Sequence, residues 1–493
     1  MKLPGKNFRK LINRIRMLGL TPKKVREIAR ENREPRRVIG LSIEDNSPIF
    51  EPDTTKSWVV YGGAGSGKST CVTVPAVQSF LHDLSRCVVI NDVKSGEVAH
   101  QIARMCLRAG RKFAVIDDSF VLGKNYPHRV RVIPFGNLVA AFMRSSPDLL
   151  QEIETATLTL ISEPEGGYDK NFYFRQTPRE ILILGILILL TRHAPLATPG
   201  GLAALLGDPE TWNAMVDIEA TEGDELTRNR ARQIQELRDN DQEHYSQHYL
   251  AAMSALRLFS AGNPMHEAGR EQDISHEQLL KQNYIVCLVQ NQNNADRLGV
   301  YYALHFNSFL SAQLTGECGK TDILFDEAGN TPAKDLIGKV TIFRASKLRV
   351  LYIAQSRSDL QRRNGDKLIA TLEDNCNMQW LQFGNFEEAE RVSKAIGEID
   401  NVNFNLGGSS DKPEFSTTYQ TGRERLFTPD DLMNLPPNEQ ILHVAGVGWI
   451  HCLKVRQNEI AASCFDLSDN PLEGGRLEPD VKVTLPTNGG GEA

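Results

Sequence analysis

From about residue 57 the chain shows short, unbroken apolar runs separated by glycines, polar residues and amphipathic stretches. Val59–Tyr61, Cys87–Asn91 and Phe113–Ile116 read as strands, with helical patterns over Lys68–Leu81 and Val98–Arg108 between them. Runs this short with no polar alternation suit strands buried on both faces, and their alternation with helices predicts a parallel sheet. From roughly Leu138 to Leu280 the pattern turns to helical periodicity, including the highly charged Asp224–Arg238 and the amphipathic His248–Leu258. Alternation then returns with strand Tyr284–Val289, helix Leu298–Leu314 and strands Ile323–Phe325, Arg349–Ala354 and Met378–Gln382. The simplest arrangement is one α/β domain formed by residues 41–137 and 281–467, with an all-α domain, 138–280, inserted into it.

The two ends read differently. Phe8, Leu11, Ile12, Ile15 and Leu18 recur at helical spacing, with Arg9, Lys10, Arg14 and Arg16 between them. This is a basic amphipathic helix within an arm of residues 1–40. Its pattern suits an anionic membrane surface, a partner, DNA or the body of the protein itself. The last stretch, 468–493, is rich in Gly, Pro and charge and reads as a disordered tail. The longest apolar run, Ile181–Leu190, has ten residues, against the ~20 that a membrane-spanning helix needs. A buried helix is expected there. No apolar segment of the secretory type follows the basic N-terminus, and no internal repeat is visible.

Composition is that of a globular protein. Length alone, 493 residues, calls for roughly two to four units. Net charge is −6, yet residues 1–40 carry 13 Lys/Arg against Glu27, Glu31 and Glu34, so this arm is at +10 and the rest at −16. An acidic body excludes a broad nucleic-acid-coating surface and confines any such contact to a channel or to the arm. The eight cysteines include no C-x-x-C pair, so a zinc ribbon or dithiol site is not expected, and reduced cytosolic thiols are.

Candidate chemistry centres on Gly62, Gly63, Ala64, Gly65, Ser66, Gly67, Lys68 and Ser69, followed by Thr70, which fit G-x-x-x-x-G-K-[ST] between a strand and a helix. Small residues let successive N–H groups turn inward around phosphate, and the following helix adds its positive end. Lys68 is expected to reach the β- and γ-phosphates of ATP and Ser69 to ligate Mg2+. Ile323–Phe325 ends in Asp326 and Glu327, candidates for the second magnesium contact and for the base that polarises water. Asp92, Lys94 and Glu97 follow the second strand at the edge where open α/β sheets bind ligands.

Further segments make the chain similar to a known family. Asp92-Val-Lys94-Ser-Gly-Glu97 resembles a D-P-K-G-E segment with one extra residue. Asp326-Glu-Ala-Gly-Asn-Thr-Pro332 resembles D-E-F-x-N-x-P, with Ala328 in place of a bulky apolar residue. Ala354-Gln355-Ser356-Arg-Ser-Asp-Leu360 resembles L-Q-S-x-x-Q-L, and Arg425-Leu-Phe-Thr428-Pro429-Asp430-Asp431-Leu432 resembles R-P-L-L-T-P-D-E-[IL]. Tyr249–Phe259 looks like the end of an all-α insertion. These belong, in this order, to the TraG/TraD type IV secretion coupling ATPases, and the resemblance runs from about Trp58 to Lys454. It implies a RecA-like P-loop NTPase domain with an inserted all-α domain, assembled as a homo-hexamer around a DNA channel. It further implies a cytoplasmic ATP hydrolase at the inner face of the cell membrane, passing a relaxase–DNA complex or protein substrate to a type IV secretion channel. Gln355 then senses the γ-phosphate, and Arg344, eleven residues earlier, serves a neighbouring subunit's site as arginine finger. The family usually begins with transmembrane helices; here either the basic arm replaces them through peripheral membrane association of residues 1–20, or a separate membrane partner recruits the chain, or the chain is a shortened form. Two alternative readings stay open: an FtsK/HerA-type DNA translocase, which keeps the motor, and a protein-substrate adaptor in which the nucleotide is a switch and no DNA is pumped.

Overall fold

The computed structural model describes residues 35–163, 172–263, 265–329, 334–408, 415–460, 467–468 and 483. The amphipathic helix of the arm, its membrane association through residues 1–20, residues 330–332 of the acidic segment and nearly all of the tail lie outside the described residues.

An eleven-stranded sheet organises the molecule. Its first strands are β1 (Val38–Leu41), β2 (Pro48–Phe50) and β3 (Trp58–Tyr61). After β3 comes a π-helical turn, Ser69–Thr73, continuing into α1 (Val74–Ser79). Next are β4 (Arg86–Asp92), α2 (Glu97–Arg108) and β5 (Phe113–Ile116). The chain then leaves the sheet for a run of helices: α3 (Gly136–Met143), α4 (Leu149–Leu160), α5 (Phe172–His193), α6 (Pro199–Gly207), α7 (Pro209–Glu222), α8 (Glu225–Asn240), α9 (Gln242–Ala255) and α10 (His276–Lys281). It returns with β6 (Ile285–Val289), α11 (Ala295–Thr315), β7 (Lys320–Phe325), α12 (Lys334–Gly338) and β8 (Leu348–Ala354). Helices α13 (Arg357–Asn364) and α14 (Asp366–Asn375) precede β9 (Asn377–Trp380) and α15 (Phe386–Ile396). A hairpin, β10 (Glu398–Gly408) with β11 (Phe415–Arg425), stands apart from the main sheet. Helix α16 (Pro429–Met433) and strands β12 (Glu439–Val444) and β13 (Gly448–Leu453) close the fold.

Strand order is β2-β1-β13-β12-β9-β3-β8-β7-β4-β6-β5. The seven strands from β9 to β5 are parallel, as the apolar runs predict. Side chains alternate between two cores. Val59, Tyr61, Val350, Tyr352 and Ala354 join one cluster with the inserted helices and α11; Trp58, Val60, Leu351 and Ile353 join another with α1 and α2. Burial on both faces is why these strands lack polar alternation. The insertion leaves at β5 and returns at β6, its neighbour in the sheet. Ile181–Leu190 lies within α5 with every residue buried, and no single described helix is long and apolar enough to cross a membrane.

Two boundaries differ from the sequence reading. Strand β1 begins at Val38, inside the stretch assigned to the basic arm, because Glu51 receives the backbone N–H of Arg37 (3.0 Å) and lies 3.7 Å from its guanidinium. Val483, inside the expected tail, bridges to Ile460 and is buried with Val38, Leu41 and Val455. The antiparallel extension β1, β2, β12 and β13 and the hairpin β10–β11 were not legible as strands.

Candidate nucleotide site

The loop between β3 and α1 sits at the C-terminal edge of the parallel strands. Gly62 N–H donates to Ala354 O (3.1 Å) and Ser66 N–H to Gly63 O (3.2 Å), which fixes the turn. Gly65 (φ +74°) and Gly67 (φ +92°) occupy left-handed backbone that a side chain strains. A Cβ on Gly62 would stand 2.4 Å from Ser66 Oγ, so only glycine fits that closely. Lys68 folds back over the loop, donating to Gly62 O (2.9 Å) and Gly63 O (3.3 Å). Thr70 and Ser69 are buried in the first helical turn.

Strand β7 delivers the acidic pair. Asp326 is fully buried; Glu327 N–H donates to its Oδ1 (2.9 Å), and Asn91 Nδ2 donates to its carbonyl (2.8 Å). Burial first, then the neighbouring Glu327, pushes the Asp326 carboxyl up to about 6, against the pull of Lys94 and Lys68. Glu327 itself is left-handed (φ +49°), a conformation that costs a non-glycine residue of order 1 kcal/mol and clusters at functional sites. Its carboxylate lies 3.9 Å from Lys68 Nζ and accepts from Gln355 Nε2 at 3.2 and 3.4 Å. Lys68, Glu327 and Gln355, chosen separately from three segments, thus meet in space.

Arg344 does not join them. It precedes β8, at the opposite end of the strands, is 75% exposed, and pairs loosely with Asp53 at 3.9 Å. The seven-residue length of β8 separates it from Gln355 by roughly 20 Å at the usual strand rise. An arginine so placed does not reach the phosphate loop of its own chain.

Two contributors escaped the sequence reading. Lys454 Nζ, buried beside β13, donates to Ser66 O (3.1 Å) and Pro437 O (2.7 Å), pinning the phosphate loop from 388 residues away. No local signal announces such a partner. Asn91 was visible as a polar residue closing an apolar strand, which could have marked it. Asp92, next along, is buried beside α2, accepts from Ala99 N–H (2.8 Å), and is pushed up to about 7 by burial first, with Glu97 and Asp326 adding to it.

A magnesium–triphosphate suits this donor set. Ser66 Oγ is buried with no hydrogen-bond partner, Ala64 and Gly65 at the tip of the loop are exposed, and Ser69 and Asp326 supply hard oxygen ligands. Among the described residues no cluster of His, Cys, Asp and Glu suggests any other metal centre, and the seven described cysteines are all buried and unbridged.

A family model described as "Type IV secretory system Conjugative DNA transfer" matches residues 23–470. The chain belongs to this conjugative DNA-transfer family. Its fold is similar to that of solved conjugative coupling proteins and of VirB4. The bacterial conjugative coupling protein TrwBdeltaN70 superposes with a TM-score of 0.61 at 16% identity, over 88% of this chain and 92% of that one. The plasmid coupling protein TrwB in complex with the ATP analogue ADPNP gives 0.62 at 15% identity, over 89% and 92%. VirB4 of Thermoanaerobacter pseudethanolicus gives 0.51 at 14%, over 86% and 97%. No curated protein matches the chain. For a member of the conjugative DNA-transfer family, the RecA-like P-loop fold with its helical insertion is the expected architecture, and the extra residue at Ser95 is absorbed in a turn where Ser95 (φ +55°) and Gly96 (φ +82°) are both left-handed.

Proposed function

We propose that this protein is the ATP-driven motor that couples a DNA or protein substrate to a type IV secretion channel, and that it works as a ring of six. Residues 38–137 with 281–467 form the motor, and 138–280 the all-α domain that faces cargo. One observation carries the reading: Lys68, Glu327 and Gln355 converge on one phosphate loop while Arg344 stands at the far edge of the same sheet. TrwB, which shares the fold, has been solved with ADPNP and with ADP and Mg2+.

In this scheme the loop Gly62–Thr70 holds the phosphates through backbone N–H groups, and Lys68 exchanges its two carbonyl contacts for phosphate oxygens. Ser69 and Asp326 hold magnesium, which supplies charge neutralisation on the phosphates. Glu327, turned into the site by its left-handed backbone, accepts a proton from water. Gln355, donating to the Glu327 carboxylate, reports phosphate occupancy to β8 and α13. Arg344 of each subunit completes the site of the next, so the isolated chain binds ATP better than it turns ATP over. DNA passing through the ring, the relaxase or secreted proteins as cargo, and a place at the cytoplasmic face of the membrane through residues 1–20 belong to the same proposal.

The test is ATP hydrolysis measured against added single- and double-stranded DNA, with oligomer mass recorded in the same samples. Turnover that rises with DNA and with hexamer content is expected. A monomer that hydrolyses ATP at full rate with no response to DNA would sink the ring and the DNA channel together.

A further inference from the structure

Lys94 is not one of the residues a phosphate loop requires, yet its ammonium lies inside the site. The turn after β4 is tied to the neighbouring strand end: Ser95 N–H donates to Gln290 O (3.1 Å), and Ser95 Oγ accepts from Gln292 N–H (3.2 Å). So anchored, the turn brings Lys94 Nζ to 2.8 Å from Ser69 Oγ, with Glu97 Oε2 at 4.0 Å on its other side. The same ammonium favours the ionised form of Asp326. One side-chain cation therefore sits on the hydroxyl that the proposed function gives to magnesium, and lends its charge to the carboxylate beside it without an ion pair.

The two lysines of the site are held differently. Lys68 is 6% exposed and fixed by two backbone carbonyls. Lys94 is 31% exposed, on a flexible stem with solvent to retreat into. Magnesium on Ser69 Oγ draws on the lone pairs that Lys94 uses, and an ammonium and a divalent ion on one hydroxyl in a mostly buried site repel strongly. We propose that Lys94 is a tethered counter-cation that competes with magnesium for Ser69 and Asp326, swinging out when the metal–nucleotide complex enters and returning when the metal leaves. This sets the magnesium requirement of nucleotide loading and keeps the acidic pocket neutralised through the cycle. The inference rests on the proposed ATP site.

The test uses the full chain and fluorescent N-methylanthraniloyl-ADP and -ATP. Binding is followed first in EDTA, then as Mg2+ is titrated, with Mn2+ binding read in parallel by electron paramagnetic resonance. In Lys94→Met the Mg2+ and Mn2+ midpoints should fall about fivefold or more, the size of an ordinary coupling between two competing sites. Affinity for the diphosphate without metal should stay within twofold (~0.4 kcal/mol). Lys94→Gln serves as a second uncharged variant should the Met variant fail to fold. Unchanged or raised metal midpoints in a folded variant overturn the proposal, because a merely structural lysine would alter melting temperature alone. Selective loss of triphosphate over diphosphate affinity also overturns it, making Lys94 a phosphate ligand. Should the natural chain bind neither nucleotide with or without metal, the ATP-site reading itself falls. That result is distinct from an unshifted midpoint in a protein that binds.

Discussion

The two ends of the parallel strands treat buried charge in opposite ways. At the N-terminal edge, Asp322 accepts from Arg349 Nε (2.6 Å) and Nη2 (3.0 Å) and from Arg86 Nη1 (2.9 Å), while Glu51 accepts from Arg349 Nη1 (2.7 Å). Arg86 and Arg349 also lie against Phe80, 4.4 and 4.8 Å from the ring centre. Burial disfavours the Asp322 carboxylate, yet the two guanidiniums more than offset it and hold its carboxyl below the usual range. At the C-terminal edge, Asp92 and Asp326 are equally buried but meet no arginine, and both are pushed upward. Matched charge makes a rigid brace. Carboxylates that meet lysines but no arginine make a site ready to take a metal ion and polyanionic phosphate. Sheet and burial are common to both, so the difference lies in which cations face the carboxylates.

The comparison can be broken at several points. The largest effect is expected at Arg344, which belongs to the braced edge but should act on a neighbour's reactive edge. Arg344→Ala should lower turnover by about 10³-fold, as removing an arginine finger does. Nucleotide affinity and melting temperature should stay unchanged; an equal loss of nucleotide binding would return the residue to a structural role. Glu327→Gln should cost about 10²–10³-fold in turnover with nucleotide binding kept, since it removes a proton acceptor and not a phosphate contact. On the braced edge, Arg349→Met leaves buried Asp322 with Arg86 alone and buried Glu51 with Arg37 alone, and should cost about 3–5 kcal/mol in chemical denaturation, whereas the reactive edge tolerates loss of one charge far better.

The smallest effect concerns pH. The folded Asp92 carboxyl titrates near 7, above its unfolded value, so its favourable contribution is complete below pH 4 and is lost as pH rises through about 7. Asp92→Asn should remove that fall, gaining about 2–4 kcal/mol at pH 8 and little at pH 4. Asp322, with its depressed value, runs the other way: its stabilisation is present above its unfolded value near 3.8 and is lost as pH falls through the still lower folded one. A denaturation series from pH 3 to 9 on both the natural chain and Asp92→Asn would separate the two edges. Equal slopes for the two proteins would show that Asp92 is not the carboxyl that titrates.

By itself the sequence determined the phosphate loop, the acidic strand end, the seven parallel strands and the helical run between them. Each is a local pattern: glycines where the backbone turns left-handed, unbroken apolar residues where a strand is covered on both faces, helical periodicity where one face is covered. Tertiary structure alone decided the partners. Lys454 reaches Ser66, Arg349 reaches Glu51, and Lys94 reaches Ser69 because the sheet brings their strand ends together, and nothing local encodes that choice. The edge strands β1, β2, β12 and β13 were missed for a related reason. β1 and β2 are short, with four and three residues, and β13 mixes buried and half-buried positions instead of showing an unbroken apolar run. β1 with β2 and β12 with β13 are local hairpins, and what joins them to the sheet is pairing with strands distant in the chain, β1 with β13 and β12 with β9. Periodicity records how a segment is covered, while the pairing of charges across the sheet depends on strand order, which only the folded chain sets.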